Sequence, residues 1–245
     1  MDALDTVASW LREAKSVLVL TGAGVSAESG IPTFRGDGGL WEGFRAEELG
    51  TPQGFAADPE RVWRWYRMRR RTCLGAEPNP GHFAIAKLQR HRPASKLLTQ
   101  NIDGLHARAG STDILELHGN IHSDWCPSCE RVRTLPPPGE EPQPMPRCER
   151  CGAPTRPRVL WFGESYWPGV IDAALQAAQT ADVALVVGTS GMVTVPVAIA
   201  EHAQQAGARL IDVNPAASSL SELADAWLAE PAGRVLPELM RRAFG

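Results

Sequence analysis

Long apolar runs are absent from this sequence. The strongest apolar stretch, Val183–Val187, has five residues, whereas a helix that crosses a bilayer needs about 20. The first residues, Met-Asp-Ala-Leu-Asp, are acidic where a secretory signal would carry basic residues before an apolar core. We therefore expect a cytoplasmic protein that has no membrane partner.

An excess of positive charge is also missing. The 25 basic side chains are outnumbered by 28 acidic ones, which gives a formal net charge of −3 at pH 7. This balance provides no global electrostatic attraction for nucleic acid, so we expect no specific nucleic-acid partner. No coiled-coil pattern or exposed apolar face argues for an obligate oligomer, and we expect a monomer.

Cysteine is scarce, and the five cysteines are an odd number. Four of them form two CxxC pairs, Cys126/Cys129 and Cys148/Cys151, separated by the eighteen residues 130–147. In a reducing compartment, paired cysteines at this spacing favour a metal over disulfides. Four thiolates close the tetrahedral shell of zinc and leave no position for water. We therefore predict one structural Zn²⁺ per chain; the alternative is a pair of redox dithiols.

Short apolar runs and helical patterns alternate along most of the chain. Unbroken runs at 16–20, 96–99, 183–187 and 209–213 indicate strands that are buried on both faces. Helical patterns separate them, and this alternation predicts an α/β fold with a doubly wound parallel sheet. Two stretches, 39–76 and 119–157, do not fit the alternation, so we predict that they form a smaller helical and zinc-binding lobe. The larger lobe then comprises residues 1–38, 77–118 and 158–245.

A glycine-rich loop, residues 22–30, follows the first predicted strand directly. Glycines in this position allow a tight turn and a close approach of the backbone to a phosphate group. The spacing is not that of the GxGxxG dinucleotide motif, which argues against an ordinary dehydrogenase. On this motif alone, an ordinary strand-to-helix turn is an equal alternative.

Six segments in a fixed order resemble the sirtuin family, over residues 15 to 235. They are the glycine loop, Ile31–Arg35, Gln100–Asp103, Leu117–Gly119, Phe162–Glu164 and Gly188–Ser190, with the four cysteines after His118. The resemblance implies that the large lobe is a Rossmann-type NAD-binding domain. It also implies a protein-lysine deacylase that consumes NAD⁺ and gives nicotinamide and 2′-O-acyl-ADP-ribose, with acyl-lysine-containing proteins or peptides as partners.

The resemblance also assigns site residues. His118 matches the catalytic base, a task that suits an imidazole, while Asn101 and Asp103 match positions that hold ribose and nicotinamide and orient a water. The other histidines are expected at the surface or in the hydrogen-bonded core. The matching NAD⁺ contacts, besides Asn101 and Asp103, are Gly22, Ala23, Gly24, Ser26, Glu28, Thr33, Phe34, Arg35, Trp41, Gln100, Ile102, Gly188, Thr189, Ser190, Asn214, Pro215 and Ala232.

Tyr66 and Arg69 bear on the choice of acyl group. They are three residues apart, so on a helix they share one face, and together they can bind a carboxylate. The pattern alone favours another interpretation, in which Arg67, Arg69, Arg70 and Arg71 form a solvated basic face. The Tyr-x-x-Arg pair resembles the class III sirtuins, which implies removal of succinyl, malonyl or glutaryl groups, with acetyl also accepted. Further matching substrate contacts are Ala46, in the acyl pocket, and Leu160, Phe162, Gly163 and Glu164, whose backbone pairs with the peptide as an added strand.

Two other functions are compatible with parts of this pattern. A protein mono-ADP-ribosyltransferase would share the cleavage of NAD⁺ but pass ADP-ribose to protein. A non-catalytic zinc-ribbon module for nucleic acid or chromatin would use the cysteines alone, although the acidic net charge argues against it.

Overall fold

The computed structural model describes residues 2–33, 40–41, 44–45, 49–140 and 143–245, with the backbone alone at 40–41 and 44–45. Phe34, Arg35 and Ala46 lie outside these residues, as does the side chain of Trp41. Among the helices of the described ranges, none combines the length and apolarity that crossing a bilayer requires.

Six parallel strands form the central sheet, in the order β11-β10-β9-β1-β4-β5. The chain proceeds from β1 to β4 and β5 on one side and then returns to β9 on the other, so β1 pairs with both β4 and β9. The predicted parallel sheet is thereby confirmed, and the strand order reverses at β1, where ligands of open α/β sheets bind. The strands are β1 Val17–Thr21, β4 Lys96–Thr99, β5 Ile114–Glu116, β9 Val183–Val187, β10 Arg209–Val213 and β11 Ala226–Leu228.

Helices cover both faces of this sheet. Alternate residues of β1 point to opposite faces, as the two-residue period of a strand requires: Val17 and Val19 belong to one core cluster, Leu18 and Leu20 to the other. The first cluster packs under α1, α5 and α9, the second under α7 and α8. The helices of the large lobe are α1 Ala3–Glu13, α2 Gly24–Ala27, α5 Pro80–His91, α6 Leu105–Arg108, α7 Val170–Gln179, α8 Thr194–Gln205 and α9 Ala232–Phe244.

A smaller lobe stands at the carboxyl edge of the sheet. It contains an antiparallel sheet of order β7-β6-β8, a short β2-β3 hairpin and two helices. Helix α4 begins at Pro59 after the cap residue Asp58, whose carboxylate accepts a hydrogen bond from the Arg61 N–H at 2.9 Å. The elements are β2 Leu40–Trp41, β3 Phe44–Arg45, α3 Pro52–Ala57, α4 Pro59–Gly75, β6 Gly119–Trp125, β7 Val132–Thr134 and β8 Arg156–Val159.

The buried face of α4 joins the two lobes. Val62, Trp65 and Tyr66 from this helix share one hydrophobic cluster with Ile102 and Leu105, which follow β4 of the large sheet. The six strands of the large sheet all fall inside the ranges predicted for the larger lobe. The exact division between the lobes stays a prediction, because β8 runs across the predicted boundary at residue 158.

Candidate active site

A cleft of about 910 Å³ opens where the carboxyl ends of β1, β4 and β9 meet the smaller lobe. This volume is in the range of small-molecule binding sites. Most of the residues expected from the sequence line it. They are Gly22, Ala23, Gly24, Thr33, Tyr66, Gln100, Asn101, Ile102, His118, Leu160, Phe162, Gly163, Glu164, Gly188, Thr189, Ser190 and Asn214.

Three glycines allow the loops after β1 and β9 to touch. A Cβ atom on Gly22 would lie 2.8 Å from the Gly188 carbonyl oxygen, and one on Gly188 would lie 2.4 Å from the Val25 nitrogen. The Gly24 N–H donates to the Gly188 carbonyl at 2.8 Å, and Gly188 has φ +61°, a conformation that favours glycine. Beyond leaving room for a ligand, these glycines therefore hold the two loops together at the floor of the cleft.

Side-chain amides connect the loop after β4 to both of these loops. The Asn101 amide donates to the Gly22 carbonyl and to the Ser26 hydroxyl, each at 3.1 Å, and the Gln100 amide donates to the Thr189 hydroxyl at 3.1 Å. Ser26 in turn donates to the Asp103 carboxylate at 2.8 Å. The carboxyl ends of three strands thus form one connected polar surface.

His118 lies at this surface, just after β5. Its Nδ1 atom is 3.1 Å from the Gln100 carbonyl oxygen and its Nε2 atom is 3.4 Å from the Tyr166 hydroxyl. Because a carbonyl can only accept, Nδ1 carries the hydrogen in the neutral ring and Nε2 keeps its lone pair. Burial lowers the pKa of His118, against a smaller opposing effect of the bond to Gln100, so the ring is neutral at pH 7.

Two further histidines are buried behind the glycine loop. His82 lies 3.4 Å from the Ser26 hydroxyl, and the Nε2 atom of His106 lies 3.0 Å from the Thr21 hydroxyl. Burial lowers the pKa of His82 to about 4 and that of His106 to about 3. Both are thus uncharged members of the core, one of the two locations that the sequence left open for them.

Tyr66 lies in the wall that the small lobe contributes. Its hydroxyl oxygen accepts a hydrogen bond from the Trp161 indole N–H at 2.8 Å. Burial raises the pKa of Tyr66 to about 12, so the phenol stays protonated at any working pH. An uncharged hydroxyl therefore stands in the lining of the cleft, to which Trp65, Val159 and Trp161 also contribute.

Arg69 stands close to Tyr66 but lines a different cavity. Its positive charge lowers the pKa of Tyr66, against the larger effect of burial, and its guanidinium carbon lies 5.0 Å from the centre of the Trp65 ring. It lines a small pocket that also contains Ser26 and Asp103 and that shares Ala23, Asn101 and Ile102 with the large cleft. The solvated basic face considered for this helix is wrong for three of its four arginines, because Arg67, Arg69 and Arg70 are buried. Arg67 and Arg70 donate hydrogen bonds to the 135–143 segment of the smaller lobe.

The segment from Leu160 to Glu164 crosses the mouth of the cleft. The N–H groups of Leu160 and Phe162 donate to the His118 and Gly50 carbonyls at 3.0 and 2.9 Å, and the Trp161 N–H donates to the Glu164 carboxylate at 2.9 Å. The Glu164 N–H donates to the Trp161 carbonyl at 3.1 Å, so the segment is held in place by its own backbone as well as by its neighbours. The Phe162 ring is 58% exposed at the mouth.

Several expected NAD⁺ contacts stand away from the cleft wall. Ser26 and Asp103 line the small adjoining pocket instead. The Glu28 carboxylate accepts a hydrogen bond from the Gly233 N–H at 2.8 Å, so it caps the first turn of α9. Ala232 is buried at the start of the same helix, and Pro215 is exposed beside the cleft residues Asn214 and Ala216.

Several residues that line the cleft were not predicted from the sequence. Trp161 lies within the expected substrate segment and Tyr166 lies two residues after it, and each has a polar atom within hydrogen-bond distance of a residue of the site. Their position next to the Phe-Gly-Glu motif was the available signal. The remaining ones are Gly50, Trp65, Val159, Val193, Thr194, Val195, Ala216 and Ala217.

The four paired cysteines meet at the outer end of the small lobe. Their sulfur atoms all lie within 4.8 Å of one another, and the Cys126–Cys151 and Cys129–Cys148 sulfurs are 3.5 Å apart. Four thiolates at the zinc–sulfur bond length would be separated by about 3.8 Å. Number, type and spacing of the donors therefore fit a structural zinc ion, which would tie the two knuckles together. Cys73 is buried apart from them.

Known proteins share this arrangement. The model of the Sir2 family matches residues 22–195. An NAD-dependent protein deacylase of Leptospira interrogans is 47% identical over 230 residues, 93% of this chain and 92% of the relative. A crystal structure of a Sir2 homologue in complex with NAD has a TM-score of 0.92 at 43% identity, covering 99% of this chain and 94% of the other. A Sir2 structure with a p53 peptide and NAD⁺ has a TM-score of 0.81 at 30% identity, covering 96% and 94%.

Proposed function

The chain belongs to the Sir2 family and is an NAD-dependent protein deacylase, and from this premise we propose that its preferred substrates are lysines that carry an acidic acyl group. Succinyl, malonyl and glutaryl groups end in a carboxylate, and acetyl-lysine is a weaker substrate of the same site. Acyl-lysine proteins or peptides are the partners, in keeping with the p53 peptide bound by a structural relative.

NAD⁺ is a substrate of this reaction and is consumed. The acyl carbonyl oxygen attacks C1′ of the ribose as the bond to nicotinamide breaks, which joins the acyl-lysine to ADP-ribose. Removal of a proton from a ribose hydroxyl lets that oxygen attack the acyl carbon. The bond from the acyl carbon to the lysine nitrogen then breaks and releases the amine, water adds to the acyl carbon, and the bond from that carbon to the 1′ oxygen breaks. The acyl group thereby remains on ADP-ribose as the 2′-O-acyl ester, with a hydroxyl at C1′.

His118 takes the proton from the ribose hydroxyl. Its lone pair is on Nε2, because the Nδ1 hydrogen is committed to the Gln100 carbonyl. The lowered pKa keeps this nitrogen unprotonated at neutral pH. The base is thus available before substrate binds, and its ring orientation is fixed by the backbone of the loop after β4.

Asn101 and Asp103 hold the ribose and nicotinamide end of NAD⁺ and orient a water. Asn101 stands on the wall shared by the cleft and the small pocket. The Asp103 carboxylate is fixed by hydrogen bonds from Ser26 and from the Leu105 N–H at 2.9 Å. A carboxylate fixed in this way can still accept a bond from water with its remaining lone pairs.

The observation that carries the acyl preference is a pair of hydrogen-bond donors on α4, Tyr66 in the large cleft and Arg69 in the small pocket that shares three residues with it. Tyr66 offers a neutral hydroxyl beside Trp65 and Trp161, and the positive charge of Arg69 lowers the pKa of that hydroxyl against the larger effect of burial. A carboxylate held there would gain a charge-assisted hydrogen bond that an acetyl group cannot make. The same pocket still admits the smaller group, because extra space does not exclude it.

Paired kinetics on one peptide carrying either succinyl-lysine or acetyl-lysine test the proposal. We expect kcat/KM for the succinyl peptide to exceed that for the acetyl peptide, and Arg69→Met to lower the succinyl value at least about tenfold by removing a charged hydrogen bond. Arg71→Met is the matched control, because Arg71 lies on the same helix and is exposed. Full desuccinylase activity in Arg69→Met would reject the carboxylate-binding role.

A further inference from the structure

We propose that Trp161 is a positioning residue for acyl specificity: its indole N–H holds the Tyr66 hydroxyl so that the hydroxyl hydrogen is presented to the carboxylate of an acidic acyl group. The inference rests on the proposed function, in which Tyr66 contacts that carboxylate. It assigns to Trp161 a role that is exerted through Tyr66, without contact between Trp161 and the reacting atoms.

The direction of the hydrogen bond between the two side chains carries the argument. The Trp161 Nε1 atom lies 2.8 Å from the Tyr66 hydroxyl oxygen, and each residue is only 3% exposed. An indole N–H can donate but cannot accept, so the phenol oxygen is the acceptor and its own hydrogen remains to be donated. Because Tyr66 also stays protonated, with a pKa of about 12, the wall presents a hydrogen-bond donor.

The indole is itself held from three sides. The Arg156 guanidinium lies 3.7 Å from the centre of the Trp161 ring and forms a two-point pair with the Glu164 carboxylate at 2.5 and 2.8 Å. Glu164 accepts the Trp161 backbone N–H, and the Phe55 ring packs at 5.3 Å. A side chain fixed in this way can fix the group to which it donates.

A hydroxyl whose hydrogen is held in one orientation discriminates between acyl groups more strongly than a hydroxyl that rotates freely about its C–O bond. Binding a carboxylate then requires no reorientation of the phenol, whereas an acetyl group gains nothing from the donor. Loss of the indole N–H should therefore lower the succinyl-to-acetyl ratio of kcat/KM. A purely structural role would lower both activities together and leave the ratio where it was.

The test compares Trp161→Phe, Tyr66→Phe and the double variant with the wild type. We expect Trp161→Phe to lower the succinyl-to-acetyl ratio about five- to tenfold, the effect of one buried hydrogen bond. In the Tyr66→Phe background the same change should have little further effect on the ratio, because the partner of the indole is already gone. Trp63→Phe is the control: it removes an equally buried indole bond, 2.9 Å to the Thr155 carbonyl, without touching Tyr66, and should keep the ratio.

Arg156→Lys provides a second variant if Trp161→Phe does not fold. It keeps the charge but loses the planar contact with the indole, and we expect a two- to fivefold lower ratio that again disappears in the Tyr66→Phe background. An unchanged ratio in Trp161→Phe, or an equal fall in the two backgrounds, overturns the positioning role. If Tyr66→Phe lowers the ratio and Trp161→Phe does not, this inference alone fails; if Tyr66→Phe leaves the ratio unchanged, the proposed acyl contact fails as well.

Discussion

The two ring nitrogens of His118 have separate roles in the proposed reaction. Nδ1 is bound to the Gln100 carbonyl, and Nε2 is the basic atom. We expect His118→Ala to lower kcat/KM for either acyl peptide at least about 100-fold, the usual contribution of a general base, while far-UV circular dichroism stays unchanged. His202→Ala, on α8 outside the cleft, is the control. Residual turnover within tenfold of the wild type would remove His118 from the base role.

The pH dependence of the reaction follows from the burial of His118. The neutral ring is the active form, so kcat/KM should fall as the pH falls through the pKa of this group. Because burial lowers that pKa, the midpoint of the acid limb should lie below the ordinary histidine value of about 6.5. A pH profile of kcat/KM measures it. A midpoint above 7 would contradict the observed environment of the ring.

Single residues could be predicted where a short motif fixes them. His118 stands in a Leu-His-Gly context after a strand, and it lines the cleft as expected. Trp161 and Tyr166 could not be assigned in this way, because their partners Tyr66 and His118 are 95 and 48 positions away. The burial of Arg67, Arg69 and Arg70 escaped prediction for a related reason: helical periodicity marks one packed face, and α4 is covered by both lobes.

At the level of elements, the loop after β9 should tolerate no side chain at Gly188. Alanine there would combine the strain of φ +61° with a Cβ 2.4 Å from the Val25 nitrogen. We expect Gly188→Ala to raise KM for NAD⁺ several-fold and to lower the free energy of unfolding by more than ~1–3 kcal/mol, the cost of the strained backbone alone. Steady-state kinetics and thermal unfolding measure the two effects.

Gly169→Ala separates strain from collision. Gly169 also has a positive φ, +78°, but a Cβ there would meet no heavy atom within 4 Å. This variant should lose stability through strain alone and should keep its KM for NAD⁺. If Gly188→Ala and Gly169→Ala changed stability and KM for NAD⁺ to the same extent, close contact between the loops after β1 and β9 would not be the reason that position 188 needs glycine.

The two cysteine knuckles should stabilise the small lobe through the metal. Replacing one ligand leaves the zinc shell incomplete, so Cys129→Ser should lower zinc content from one per chain and lower the melting temperature. Cys73→Ala should keep the zinc, because Cys73 lies outside the quartet. Metal analysis beside thermal unfolding provides the measurement. A full zinc content in Cys129→Ser would exclude that residue as a ligand.

Strands with a clear apolar pattern in the sequence were predictable, and strands without one were not. The apolar runs that became β1, β4, β9 and β10 occur within a residue of the expected bounds. The small antiparallel sheet did not show in the sequence, although β6 is the longest strand described. Its pairing with β8 shifts between Gly119 and Asp124, so polar and apolar residues do not alternate there as in a regular strand.

The whole molecule places its cleft between two lobes that share a core. Tyr66 and Val62 from α4 pack in one cluster with Ile102 and Leu105 of the large lobe. Composition and periodicity describe each lobe separately, so they predict two lobes without showing which side chains meet between them. Arg69 illustrates the limit: its helical spacing from Tyr66 was visible, but its position in a second, smaller pocket depends on how the lobes pack.

The fate of ADP-ribose distinguishes deacylation from protein mono-ADP-ribosylation in the whole protein. Both reactions release nicotinamide from NAD⁺, but only deacylation transfers the acyl group to the 2′ oxygen of the ribose. We expect label from adenine-labelled NAD⁺ to appear on O-acyl-ADP-ribose, in a one-to-one ratio with deacylated peptide. His118→Ala should abolish this product, because the ribose oxygen would no longer lose its proton to Nε2. Label that instead accumulates on protein, in proportion to nicotinamide released, would favour ADP-ribosyl transfer.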